Sequence, residues 1–186
     1  MYRIVSLVLL AMLAACVTPP TQEQMQADGS GPLPREPGAG QGMIYVVRPS
    51  PVGGMIRFNV FLNDQDEGSE MGFTRGGQYI YFAVPPGKHR VYSKAENWAE
   101  IDVSVADGQV VFLQQDAAVG VLMARNSIAE LEAGQGRYYA RTLALGTVLK
   151  AAARGTSVAK PGAAGAPPSA GGGPVKLDDL EGLLPK

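Results

Sequence analysis

Ile56-Arg57-Phe58-Asn59-Val60-Phe61-Leu62-Asn63 alternates apolar and polar side chains, and Phe61 alone breaks the polar face. A period of two places successive side chains on opposite faces of a strand, so this stretch reads as half-buried β structure. Ile101, Val103 and Val105 repeat the pattern against Asp102, Ser104 and Ala106. Three further runs, Ile44 to Val47, Tyr79 to Val84 and Val110 to Leu113, are apolar on both faces and fit strands covered on two sides. Turn-forming residues fall between the runs at Pro51 to Gly54, Asn63 to Glu67, Gly76-Gly77, Pro85-Pro86-Gly87 and Asp107-Gly108. Asp-Gly between two alternating segments predicts a hairpin there. Short strands at close spacing favour a mainly-β fold, a small antiparallel β-sandwich, over a parallel α/β sheet. Near its end the pattern changes, predicting a strand over Ile128 to Leu131 and one short C-terminal helix from about Gly134 to Leu143, weakened by Gly134 and Gly136.

Outside this unit the composition shifts. All aromatic residues except Tyr2 lie between Tyr45 and Tyr139. Residues 18–42 hold five Pro and five Gly and no aromatic side chain, and residues 151–186 hold eight Ala, seven Gly and five Pro. Such segments bury too little apolar surface to offset chain entropy. The expected organisation is a signal peptide over 1–15, a flexible tether over 16–42, a β-sandwich domain over 43–150, a linker over 151–174 and a short leucine motif over 175–186, with both arms disordered.

The first residues carry the sharpest motif. Ile4 to Ala15 has eleven apolar residues in twelve, after a single charge at Arg3. A bilayer span needs about 20 apolar residues, so the stretch reads as the core of a secretory signal peptide. Leu13-Ala14-Ala15-Cys16 resembles the bacterial lipobox, which implies cleavage before Cys16 and acylation of its sulfur. Acyl chains contribute about 0.8 kcal/mol per buried CH₂, and several together make a stable membrane anchor. Cys16 is the chain's one cysteine, so this use also leaves no thiol for a disulfide-linked partner. Val17, where an Asp would signal inner-membrane retention, implies the inner leaflet of the outer membrane, facing the periplasm.

Composition excludes several function classes. With 16 Lys and Arg against 17 Asp and Glu, the chain lacks the basic excess of a nucleic-acid binder. One Cys and one His leave no thiolate zinc site and no cofactor motif. No Gly-x-Ser-x-Gly or other activated nucleophile is present, so the expectation is a protein that is not an enzyme.

Met43-Ile44-Tyr45-Val46-Val47-Arg48-Pro49, Phe61-Leu62-Asn63-Asp64, Tyr79, Val84-Pro85-Pro86-Gly87-Lys88-His89 and the later Asp107-Gly108 resemble a bacterial lipoprotein family catalogued as domain of unknown function 2846. The resemblance spans about residues 42–145 and implies a small β-sandwich envelope lipoprotein with no assigned reaction. The acidic loop and the long Ala/Gly/Pro tail depart from that family's pattern.

The remaining candidates are weighed singly. His89, the chain's one residue of a type whose ordinary pKa lies near neutrality, could act as a base or pH-sensitive contact; the favoured reading packs its ring over the preceding turn, bonded to local backbone. Asp64, Asp66, Glu67 and Glu70 invite a calcium reading, but the EF-hand register fails, with Gly at position five and Arg75 at position twelve. Arg48 could bind an anion, although an ion pair with a carboxylate of the domain is preferred. Trp98, expected in a loop, is a candidate contact for a protein or sugar. Leu177, Leu180, Leu183 and Leu184, with Asp178, Asp179 and Glu181 among the first of them, form a candidate linear motif for a partner's groove.

The function expected is a lipid-anchored, non-enzymatic interaction or accessory module that meets an envelope protein. The alternative is a sandwich binding a glycan or peptidoglycan fragment through Arg48, His89 and Trp98. Convergence of those three side chains in one pocket would favour the alternative.

Overall fold

Phe58, Val60 and Leu62 turn their side chains into a dry interior, while Asn59 and Phe61 turn outward, as the alternation requires. The structure is a computed structural model and describes residues 20–119 and 124–152. Cys16 and the leucine motif at 177–184 lie outside the described residues.

Among the described residues, ten strands form two five-stranded sheets. In chain order they are β1 (Gly42–Arg48), β2 (Phe58–Leu62), β3 (Glu70–Thr74), β4 (Gln78–Val84), β5 (Gly87–Lys94), β6 (Trp98–Val105), β7 (Val110–Val119), β8 (Ala124–Leu131), β9 (Ala144–Leu145) and β10 (Thr147–Val148). The first sheet has the order β8-β7-β1-β4-β9 and the second β10-β3-β2-β5-β6. The chain therefore folds as the predicted mainly-β sandwich, with one refinement. The first sheet is mixed, because β1 pairs in parallel with β7 and β4 in parallel with β9.

Strand β1 explains its own sequence. Ile44 and Val46 face the second sheet, within the core that also holds Val60, Leu62, Ile80, Phe82, Val91 and Leu113. Met43, Tyr45 and Val47 face the other way, into a second apolar cluster with Leu33, Tyr79, Phe112 and Ala140. All seven residues of β1 are buried, which accounts for a strand apolar on both faces.

The second cluster is roofed by helices. Helix α1 (Gln22–Asp28) packs against helix α2 (Ala133–Thr142), which crosses the outer face of the first sheet. Helix α2 lies within about a residue of the predicted one. Helix α1 corrects the expected free tether over 16–42. Thr21 and Gln24 form a reciprocal capping box, Gln22 and Gln26 donate to the Glu132 carboxylate, Leu33 is buried, and the Tyr45 hydroxyl bonds both backbone groups of Arg35. The pattern Thr-x-x-Gln is a helix-start signal, hidden here by the surrounding Pro and Gly.

The Asp107-Gly108 turn is also corrected. Gly108 takes φ +70° as such a turn demands, but β6 lies in the second sheet and β7 in the first. The turn carries the chain between sheets and closes no hairpin, and Pro85-Pro86 does the same between β4 and β5. The linker's first residues also join the domain: the Ala151 carbonyl accepts from the Ala83 amide at 2.8 Å.

Candidate functional site

Arg48 points into the sandwich at the end of β1 and is fully buried. Its Nη1 donates to the Ile56 carbonyl at 2.7 Å, and its Nη2 to those of Val52 and Gly53 at 2.9 and 3.0 Å. The guanidinium lies 3.6 Å from the centroid of the Phe58 ring, and burial lowers its pKa below the ordinary value. The expected ion pair with a carboxylate is thus replaced by backbone carbonyls, which stabilise the charge without a second buried ion. The side chain holds the loop between β1 and β2; its Nε is buried without a partner among the described residues.

His89 is buried at the start of β5, and its Nε2 meets the Pro85 carbonyl at 2.7 Å. A carbonyl only accepts, so Nε2 carries the proton. This is the local backbone bond expected from its place after the turn. Nδ1 is buried without a partner among the described residues.

The three candidate contacts do not converge. His89 sits beside Pro85, next to the Gly42–Val84 end of the β1–β4 ladder, whereas Arg48 pairs with Gln78 at the other end. Six residues of strand separate those ends, about 20 Å. Trp98 opposes Lys94 on the edge strand β6, five residues along β5 from His89, and it faces outward where His89 faces inward. The acidic residues stay apart as well. Asp64 Oδ1 accepts from the Asp66 amide at 3.0 Å, just before a 3₁₀ turn at Glu67–Ser69, and Glu70 Oε1 accepts from Asn59 Nδ2 at 2.6 Å. Among the described residues no group of three or more acidic, His or Cys side chains is placed to hold a metal ion. Nor, among them, is any helix long and apolar enough to cross a membrane.

Trp98 belongs to a different arrangement. Its ring centroid lies 5.2 Å from that of Phe61 and 6.3 Å from that of Tyr92, edge-on, with Lys94 Nζ 4.9 Å from the ring centroid. Phe73, two strands from Tyr92, lies under the guanidinium groups of Arg57 and Arg75 at 5.0 and 5.4 Å. Next along the face, Arg90 binds Asp102 through two bonds at 2.5 and 2.7 Å. That pairing raises the Arg90 pKa and holds the Asp102 carboxyl below its ordinary range. The outer face of the second sheet thus presents aromatic rings overlaid by cations, while the outer face of the first sheet is crossed by α2, on which α1 packs. Phe61, the residue that breaks the polar alternation, was the sequence signal for this platform.

Residues 38–128 match the family described as "Protein of unknown function (DUF2846)". No curated protein matches the chain.

Proposed function

We propose that the chain is a lipid-anchored envelope lipoprotein acting as a non-enzymatic interaction module, held through acyl chains on Cys16 to the periplasmic side of the outer membrane. The observation that carries this reading is the asymmetry of the sandwich. One outer face is occupied by the protein's own helices, and the other displays Trp98, 37% exposed, on a base of Phe61 and Tyr92. Aromatic anchors ringed by cations are the residue types that dominate protein contacts.

The spacing of the anchor supports the same orientation. With Thr21 capping α1 and α1 packed on α2, only residues 17–20 separate Cys16 from the folded unit. At about 3.5 Å per residue the five steps from Cys16 to Thr21 hold the start of α1 within about 18 Å of the lipid, on the side of the sandwich away from the aromatic face. The separation of Arg48, His89 and Trp98 weighs against a glycan pocket built from all three.

A photo-reactive amino acid at Trp98, activated in intact cells, tests the reading. The expected product is a discrete adduct with an envelope protein, obtained from the membrane fraction and lost from it in Cys16→Ser. Adducts with glycan fragments alone, or unchanged fractionation and palmitate labelling of Cys16→Ser, would overturn it.

A further inference from the structure

The cations on the uncovered face fix what can lie there. Arg57 and Arg75 flank Phe73, Lys94 lies over Trp98, and Met55, 91% exposed, extends the apolar ridge beside Arg75, whose Nε points to the Met55 carbonyl at 3.4 Å. A strip of apolar surface lined by three cations suits an extended or helical segment in which carboxylates alternate with aliphatic side chains.

We infer that this occupant is the chain's own C-terminal segment, residues 177–184, docking back onto the outer face of the second sheet. The segment carries Asp178, Asp179 and Glu181 among four leucines and no basic residue. The face also holds Glu70 opposite Phe61 and Glu100 opposite Tyr92, but Arg57, Arg75, Lys88 and Lys94 outnumber them once Arg90 is paired with Asp102. The segment's charge is therefore opposite to the face's excess, and its leucines match the ridge. The tether fits too. The described chain ends at Ala152, just after β10, where it bridges Ala83 of β4 in the first sheet. The 24 residues from 153 to 176, rich in Gly, Ala and Pro, span about 25–30 Å as a coil. From Ala152 to β6 the tail must cross from the first sheet to the second, about 10 Å, and four strand spacings, about 19 Å, both within reach of the linker. A linker of that length holds the segment near millimolar effective concentration, so an intrinsic Kd of up to about 1 mM keeps at least half the molecules closed. The tail then covers the same face that the proposed function offers to a partner, and a partner must displace it. The inference shares that face with the proposal but is read on the isolated protein, so either can fail without the other.

Trp98 is the chain's single tryptophan, which makes its fluorescence a direct reporter. In the full chain, acrylamide should quench Trp98 less than in a chain ending at Pro174, and added peptide 175–186 should restore the protection. Asp178→Lys with Asp179→Lys should mimic the deletion, and Arg57→Glu with Arg75→Glu should rescue that variant, an outcome a merely misfolded protein would not give. Circular dichroism should be unchanged between the full and shortened chains. Equal quenching in the two would overturn the inference. Protection that disappears on dilution would also overturn it, because the tail would then be reaching a second copy.

Discussion

Thr74 and Gln115 meet across the middle of the sandwich, the Thr74 hydroxyl donating to Gln115 Oε1 at 2.6 Å with both side chains fully buried. Gln115 Nε2 donates in turn to the Ser93 hydroxyl at 2.7 Å. One amide on β7 of the first sheet thereby binds two strands of the second, β3 and β5. Because no water reaches the site, each partner depends on the others.

Replacing one member should therefore cost more than replacing all three. Gln115→Leu strands two buried hydroxyls, and we expect a loss of about 2–4 kcal/mol from their desolvation. The triple change Thr74→Val, Ser93→Ala and Gln115→Leu leaves no orphan and should recover most of that loss. Urea unfolding of the two variants checks this; a triple variant less stable than Gln115→Leu would refute it.

Arg48 should resist even its nearest substitute. A lysine ammonium cannot fork to three carbonyls while lying flat on Phe58, so Arg48→Lys should lose about 2–4 kcal/mol, the worth of one or two charge-assisted bonds. The loop from Ser50 to Arg57 should then become the first site of limited proteolysis. Trp98 fluorescence should hardly change, since Arg48 and Trp98 belong to different sheets.

These residues also mark how far the sequence could be read. Alternation at residues 56–63 and 101–106 revealed strands because burial of one face leaves a local period. Sheet membership left no such trace: the turn chemistry of Asp107-Gly108 is the same whether the next strand returns to its neighbour or crosses to the other sheet. The parallel pairing of β1 with β7 joins residues more than sixty positions apart and has no local signature. Arg48 looked like a partner for a carboxylate because its charge is visible in sequence and the carbonyls of a loop four to eight residues on are not. The aromatic platform was half legible. Trp98 stood out alone, but the other rings of the face, Phe61, Tyr92 and Phe73, lie on three strands and share that face only through the register.

Two glycines of α2 separate helix propensity from packing. A Cβ at Gly136 would lie 2.2 Å from Cγ of Phe112, whereas one at Gly134 would meet the flexible Gln26 side chain at 2.9 Å. Gly136→Ala should destabilise the protein by about 1–3 kcal/mol through overpacking, overriding the roughly 1 kcal/mol that alanine gains within a helix. Gly134→Ala should cost less than Gly136→Ala, because Gln26 can yield by giving up its bond to Glu132, where the Phe112 ring cannot yield. Thermal unfolding of the pair distinguishes them, and equal losses would show that the approach of α2 to β7 is looser than described.

Tyr45 makes stability sensitive to alkali. Its ring is buried among Tyr79, Tyr81 and Phe112, with centroids 5.5 to 5.9 Å away, and its hydroxyl bonds the backbone of Arg35. Burial raises its pKa well above the ordinary value of 10.0, and that of Tyr79 in the same direction. The unfolded chain therefore releases these protons near pH 10 while the folded chain retains them. Stability is fully present below pH 10 and falls as pH rises from there toward the folded pKa, by at most about 1.4 kcal/mol per pH unit for each tyrosine. Tyr45→Phe should lose about 1–2 kcal/mol at neutral pH with its two hydrogen bonds, yet decline less steeply above pH 10 because only Tyr79 then contributes. Urea midpoints measured from pH 8 to 11.5 should show the two curves converging. Parallel curves would mean that the Tyr45 phenolate is tolerated in the fold, against the burial that packs it beneath the helices.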